Sequence, residues 1–504
     1  MDKRKRFELL LLGAVFTIAT CGLIYELVAG ALASYLLGDS VKQFSFIIGV
    51  YLFAMGIGSY LAKFLTGNLL RIFIDIEILI GLVGGLSSVV LFLLFEQVDF
   101  FQFVLYLFVF VTGCLVGLEI PLLMNILKDR VAFKDLVSNV FTFDYIGALL
   151  ASILFPLFLV PKLGIMGTSL FFGLINISIA WLLCRLLRHE LPKRYWLEGK
   201  AIASFLILLT CFIFTDYIQA FTENKLYGEN IIISKNTRYQ RMVLTHKNDD
   251  YRLYLNNNLQ FSSADEYRYH ESLVHPALSL AKDVSDVLIL GGGDGMAVRE
   301  ILKYPQVKSI TLIDLDQQLT NAFQQNDVLK KLNHNSLNHP KVRVFNADAY
   351  QWIKTNTKKY GVVIIDFPDP SNYSIGKLYA LNFYDELQKR LLPNALVAVQ
   401  STSPYFAPKS FWCIHQTIKA ILPHAQAYQT YVPSFGAWGF TLASPQPFQN
   451  FAVRRKVEKL RFYNYKFTDL TSFSRDMLAP EVEVNKLNNQ ILVRYFDEEW
   501  GNVQ

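Results

Sequence analysis

The chain is poor in cysteine. Of 504 residues only five are Cys; Cys21, Cys114, Cys184 and Cys211 lie inside apolar runs, and Cys413 stands alone later in the chain. No pair has metal-ligand spacing and nothing resembles a disulfide framework, so the cysteines read as small core-filling residues. Charge is scarce too: with 18% charged residues and a mean hydropathy of +0.29, the sequence is too apolar for a wholly soluble protein. The net charge of +6 does not indicate a nucleic-acid partner. Its basic residues gather at MDKRKR, Lys128 to Lys134 and Arg185 to Arg194, beside apolar runs.

Long polar stretches are missing before about Ile218, and long apolar ones are missing after it. Seven candidate membrane spans follow: Phe7 to Leu37, Phe44 to Leu65, Phe73 to Phe95, Phe100 to Leu127, Phe141 to Val160, Ile165 to Leu187 and Ala201 to Ile218. Each approaches the ~20 residues a helix needs to cross ~30 Å of hydrocarbon. The first is too long for a signal peptide and is expected to be retained. Arg71, Lys128, Arg130, Lys134, Arg185, Arg188, Lys193, Arg194 and Lys200 share the N-terminal side, which should be cytoplasmic; Asp39, Lys42, Glu96, Asp99 and Lys162 lie opposite. Seven spans starting inside would put the soluble half outside the cell, away from a cytosolic nucleoside. The side of the membrane is left open.

Three acids interrupt the apolar runs: Glu26, Glu119 and Asp144. Intramembrane carboxylates are costly, which makes them candidates for holding a cation or a polyamine. The alternative is that they pair with Tyr25, Asn125, Asn139 or backbone groups and fix helix packing.

In the soluble half, IIIS, RMVLT and YRLYLN suggest a small antiparallel sheet, followed by a helix over SSADEYRYHESLVHPAL with Ser262 or Ser263 available to cap it. Val287 to Asp316 then reads as strand, glycine turn, helix and strand, ending on Asp314. Gly291, Gly292, Gly293 and Gly295 allow a sharp turn and close approach to a ligand, and Asp314 lies where a ribose diol is held. The dinucleotide fingerprint is absent, because Asp294 sits where a pyrophosphate would need backbone N–H groups and no negative charge. Further strands end near Asp348, at Asp366 and at Gln400, with Asp369 three residues beyond Asp366. Ligands of open α/β sheets bind at these strand ends, so Asp294, Asp314, Asp348 and Asp366 should converge, their repulsion relieved only by a cationic ligand. VPSFGAWGFTLAS looks like a hairpin closing the site.

Such a cleft suits a sulfonium nucleoside whose arm ends in an amine and carries no carboxylate: Asp314 for the ribose, Asp348 for the adenine amino group, Asp294 for the ammonium. Transfer of its aminopropyl group needs an acceptor amine to lose a proton. Asp366 is placed as the base, with Asp369 holding the far ammonium of a diamine and Tyr269 orienting it. No metal is required. An S-adenosylmethionine-dependent methyltransferase, and a polyamine transporter or sensor with a non-catalytic soluble half, are the competing readings.

LQFSSADEYRYHE, GGGDGMAVREILKYP, the strand ends at Asp314 and Asp348, and DFPDP followed by KLYALNFY resemble the spermidine synthase (polyamine aminopropyltransferase) family, specifically its bacterial membrane-fused members. The resemblance covers roughly Tyr227 to Ser444. It implies a Rossmann-like catalytic domain that makes spermidine and methylthioadenosine from putrescine, or another small amine, and decarboxylated S-adenosylmethionine, with no tightly bound cofactor. It also implies a multi-pass protein of the bacterial plasma membrane, in contact with lipid, and a possible homodimer. Carried over by position, Gln240, His270, Gly291, Gly293, Asp294, Asp314 and Asp348 look like co-substrate contacts, Asp366 like the general base, and Tyr269, Asp369 and Gln260 like acceptor-side residues. Two departures stand out: Ser371, Asn372 and Tyr373 replace the family's Gly-Pro, and Phe435 stands where a Tyr is usual. The expected domains are a membrane domain over 1–222, a small β-sheet domain over 223–263, the Rossmann-like domain over 264–446 and a C-terminal extension over 447–504.

Overall fold

The computed structural model describes residues 3–500, apart from 38–39, 96, 99, 129–132, 192–193, 238, 449–451 and 479–480. Asp39, Glu96, Asp99, Arg130 and Lys193, used above for orientation, lie outside the described residues. The chain divides into two compact units at Ile231/Ile232.

The first unit is helical: α1 (Lys3–Leu37), α2 (Ser40–Leu61), α3 (Leu69–Leu94), α4 (Phe101–Leu127), α5 (Phe133–Leu154), α6 (Val160–Leu186), α7 (Arg194–Ile213) and α8 (Thr215–Tyr227). Among the described residues, six helical stretches are long and apolar enough to cross a membrane. One of them, Val137–Leu186, is 50 residues long and takes in most of α5 and all of α6. It breaks at Gly164, whose φ of 69° and ψ of 178° no helix contains, so the fifth and sixth expected spans are two arms of one stretch. The last expected span, Ala201 to Ile218, is displaced. The helix runs Arg194–Ile213, and Thr215–Tyr227 forms the separate, more polar α8. Close helix contact explains some of the glycines: a Cβ on Gly58 of α2 would lie 2.0 Å from the Cys114 carbonyl of α4.

A fourth intramembrane acid escaped the sequence reading. Glu77 of α3 is fully buried, and Asn176 of α6 donates to its carboxylate at 3.2 Å and to its carbonyl at 2.8 Å. Of the partners expected for the three acids, Tyr25 is not engaged among the described residues: its hydroxyl is buried without a hydrogen bond, as is one oxygen of Glu119.

The second unit begins with an antiparallel sheet of β1 (Asn230–Asn236), β2 (Arg241–Lys247), β3 (Asp250–Leu255) and β4 (Asn258–Ser262), in that order. Asn256 and Asn257, at φ 48° and 66°, make the turn into β4, a strand the sequence reading did not resolve. The helix α9 (Glu266–Leu280) follows. Neither serine caps it: Ser262 and Ser263 donate instead to Asp250, at 2.8 and 3.0 Å, and the residue before the helix is Asp265. The ionised Asp250 carboxylate is a strong acceptor for both hydroxyls.

The main sheet comprises β5 (Asp286–Gly291), β6 (Ser309–Asp314), β7 (Val342–Asn346), β8 (Tyr360–Asp366), β9 (Leu391–Gln400), β10 (His424–Val432) and β11 (Gly436–Ser444), with α10 (Met296–Leu302) after β5. Its order is β10-β11-β9-β8-β5-β6-β7. Strands β5 to β9 are parallel and β10 and β11 antiparallel, a Rossmann-like arrangement with a hairpin at one edge. Alternate residues bury on opposite faces, as strand geometry requires: Val287, Ile289 and Ile364 on one, Leu288, Leu290 and Ile365 on the other. The chain leaves β5 toward β6 and returns to β8 on the opposite side. The ligand crevice of such a sheet opens between those strands.

The stretch after 446 packs closely on this core. The buried Glu271 carboxylate of α9 accepts backbone N–H groups from Arg461, Phe462 and Tyr463 at 2.8 to 2.9 Å. Glu499 accepts from Lys409 N at 2.7 Å and Ser410 N at 3.0 Å, at the start of the helix Pro408–Lys419.

Candidate active site

The crevice is set by one rung of the sheet, in which Gly291 of β5 faces Asp366 of β8. At Gly291 φ is +83°, and a Cβ there would stand 2.1 Å from the Asp366 carbonyl, so only glycine fits. Two residues on, Gly293 N donates to Asp314 Oδ2 at 3.0 Å, and a Cβ on Gly293 would sit 2.7 Å from that carboxyl. Asp314 also accepts from Asp316 N at 2.8 Å; burial pushes its pKa up to about 6. Asp294 Oδ1 accepts from Met296 N at 2.8 Å, at the first turn of α10.

Asp366 meets Tyr269, which reaches over from α9 and donates from its hydroxyl to Oδ1 at 2.5 Å. Burial raises the Asp366 pKa to about 6, aided by the charge of Asp294 and opposed by His270 and Tyr269. Asp369 is likewise raised to about 6 by burial, against a bond from Gln400 Nε2 at 3.4 Å. Gln400, at the end of β9, also donates to the Phe367 carbonyl and to Tyr379 Oη, at 2.6 and 2.8 Å. It fixes the loop that carries Asp369. The sequence reading identified the strand ending at Gln400 but gave the residue no role, though the strand-end rule that picked out the acids covers it too.

The acids do not depend on a ligand alone for relief. His270 is 2% exposed, and its Nδ1 lies 2.7 Å from Glu266 Oε2. Burial would lower its pKa, but the Glu266 carboxylate outweighs that, with help from Asp294 and Asp366, and holds it up at about 9. The imidazolium stands as a built-in cation among the acids, which corrects the expectation that only a bound cation relieves them. Glu266 is in turn gripped by Arg299 Nη2, 2.9 and 2.8 Å from its two oxygens, and Arg299 Nε donates to Glu300 at 3.0 Å. Glu300 also meets His275 Nε2 at 2.8 Å and Lys303 Nζ at 2.5 Å. Arg299, through Glu266, and Glu300, through His275, thus lock α10 to α9.

Three expected residues stand differently. Asp348 caps the helix Ala349–Thr355, accepting from Tyr350 N at 2.9 Å, while Lys377 Nζ binds its other oxygen at 2.7 Å. Burial would raise its pKa; Lys377 and the cap bonds reverse the direction and lower it. Gln240 does not touch Asp314 but donates to Asp316 Oδ2 at 3.1 Å, at the other end of the β6 turn. Gln260 donates to Asn258 O at 3.2 Å within its own strand, and no bond joins it to the acids.

The β10–β11 hairpin packs against the start of α9 beside Tyr269. Ser434 bonds Asp265 through N and Oγ, at 2.7 and 2.9 Å, and so ties the hairpin to the start of α9. Phe435 and Trp438 place their rings 6.3 and 6.4 Å from that of Tyr269, making an aromatic wall.

Residues 266–453 match the spermine/spermidine synthase domain. The chain is 49% identical over 492 residues to the polyamine aminopropyltransferase of Leptospira interrogans, covering 97% of this chain and 98% of the relative. It is 50% identical over 512 residues to polyamine aminopropyltransferase 2 of Ralstonia nicotianae, covering 99% of each. The chain belongs to the polyamine aminopropyltransferase family. The spermidine synthase of Thermotoga maritima is similar in structure over 54% of this chain and 88% of its own, with 22% identity and a TM-score of 0.45. The matches to these aminopropyltransferase relatives run through the membrane helices as well as the catalytic unit, so the two-part architecture is shared with them.

Within this aminopropyltransferase, the segment that departs from the family's Gly-Pro is structured. Asn372 caps the short helix Tyr373–Gly376, accepting from Ile375 N at 3.0 Å.

Proposed function

We infer that this protein transfers the aminopropyl group of decarboxylated S-adenosylmethionine to putrescine, giving spermidine and methylthioadenosine. The observation that carries this is the line of carboxylates from Asp314 through Asp294 to Asp366 at the ends of adjacent strands, with His270 among them. Asp314 takes the ribose hydroxyls, as acids at this strand end do. Asp294 takes the ammonium of the aminopropyl arm, and Asp348 with its helix turn borders the adenine.

The acceptor nitrogen attacks the methylene carbon bonded to sulfur; the C–N bond forms as the C–S bond breaks, and the electron pair leaves with the neutral thioether. Asp366 takes the proton that the acceptor ammonium must lose. Its pKa of about 6 leaves it ionised at neutral pH yet more basic than an ordinary aspartate. Tyr269 holds the carboxylate in place, and Asp369 anchors the far ammonium. We assign the helical half to a bacterial plasma membrane and read the assembly as the homodimer implied by the family resemblance.

Full-length protein purified in detergent and supplied with decarboxylated S-adenosylmethionine should release methylthioadenosine with putrescine. Asp366→Asn should lower that rate at least about 100-fold. No methylthioadenosine with any diamine from three to five carbons would overturn the reading. Tighter calorimetric binding of S-adenosylmethionine than of its decarboxylated form would favour a methyltransferase.

A further inference from the structure

The membrane unit holds acids that the transfer reaction does not use. They are Glu77 on α3, Glu119 on α4 and Asp144 on α5, of which Glu119 and Asp144 line the same cavity. Glu119 is 6% exposed, and its Oε1 has no hydrogen-bond partner among the described residues. The residue lines a cavity of about 10 Å³ together with Asp144; the rest of the lining is apolar, including Ile18, Phe73 and Leu123. Among the described residues, no lysine, arginine or histidine forms an ion pair with Glu26, Glu77, Glu119 or Asp144.

A carboxylate buried in hydrocarbon without a partner either takes up a proton or pairs with a cation; the unpartnered oxygen of Glu119 and the second carboxylate beside the same cavity are arranged for the latter. The cavity's size admits about one water-sized group. Hard divalent ions are poorly served, because they take six or more oxygens, and this lining offers only the carboxylates of Glu119 and Asp144. A primary ammonium fits better: it is water-sized and carries three N–H donors for the carboxylates, while its methylenes leave the cavity past the half-buried Asp144 into apolar surroundings. The ring of Phe73 adds a face that attracts cations. Asp144 is only half-buried, which gives a ligand its way in.

We propose that Glu119 and Asp144 form a second binding site, inside the membrane unit, for the ammonium end of a linear alkylamine. The site is separate from the catalytic crevice, and the assignment stands whether or not the aminopropyl-transfer reading does.

The test uses full-length protein in lipid nanodiscs, carrying Asp369→Asn to weaken the acceptor end of the crevice, and radiolabelled putrescine in equilibrium dialysis. Saturable binding near one equivalent per chain is expected, weakened at least about tenfold by Glu119→Gln or Asp144→Asn. Butylamine should compete, because one ammonium suffices, while sodium chloride should do no more than choline chloride. Unchanged affinity in both variants, or displacement by sodium but not by choline, overturns the proposal. In the otherwise unaltered chain, Glu119→Gln should leave methylthioadenosine release unchanged, which separates loss of the site from loss of the fold. If the charge-neutralising variants do not fold, Ile18→Phe fills the cavity with both carboxylates in place. Binding that survives that change also overturns the proposal.

Discussion

The Tyr269 hydroxyl lies 2.5 Å from Asp366 Oδ1, so the group assigned as base is held by a helix from outside its own sheet. That bond favours the ionised carboxylate. The acid limb of the wild-type pH profile for kcat/KM should therefore rise through about pH 6. In Tyr269→Phe the limb should move to higher pH and kcat should fall by about tenfold or more. The ring contacts with Trp438 and Phe440 remain in that variant, so its melting temperature should change little. A limb that stays at the same pH would dissociate Tyr269 from the base.

Glu266 connects His270 to Arg299, and all three are largely buried. Glu266→Gln strips both cations of their partner and should destabilise the soluble unit by about 3–5 kcal/mol. The pH dependence has a definite sign. The His270 pKa is raised to about 9 from an ordinary 6.5, so its contribution is complete below 6.5 and is lost as pH rises through 9. Wild-type melting temperature should fall between pH 7 and 10, and the fall should be shallower in Glu266→Gln.

The glycine loop tolerates no side chain, for two distinct reasons. Gly291→Ala collides with the Asp366 backbone at a positive φ and should abolish accumulation of folded protein in expression trials. Gly293→Ala meets a carboxyl group rather than backbone, so it should fold. Its defect should be a raised KM for the nucleoside co-substrate, measured at saturating amine, because Asp314 is pushed from its place.

Glu271 accepts three backbone N–H groups from residues 461–463 and is 1% exposed. Glu271→Ala leaves those donors buried without partners, at about 1–3 kcal/mol each. Unfolding in urea should shift to lower midpoints, and limited proteolysis should cut near 461 in the variant but not in the wild type.

Much of the site can be read from the chain because its parts fall at strand ends. Asp314 and Asp366 each close an apolar run, and Asp294 sits inside a glycine turn, so local pattern alone locates them. What could not be read was pairing between distant residues. Lys377 reaches Asp348 from 29 positions away, and Arg299 reaches Glu266 from 33, with nothing local to announce either bond. The same limit hid the packing of residues 461–463 on Glu271. In the membrane half, the apolar runs gave the helices, but hydropathy did not show where α7 ends and α8 begins, because Phe212, Ile213 and Phe214 run apolar straight through the break. Glu77 was overlooked for a related reason: it lies close to Asp75 near the start of a span, where charge usually marks an interface.

The rung that pairs Gly291 with Asp366 places the glycine loop and the proposed base on neighbouring strands, locked by sheet hydrogen bonds. The proposed acceptor end is built otherwise, from the segment 371–376 and the hairpin tip at Ser434 and Phe435, which no ladder constrains. On that assignment, mutational drift can resize the amine pocket while the spacing of glycine loop and Asp366 stays fixed, so a change of acceptor length need not cost the catalyst its geometry.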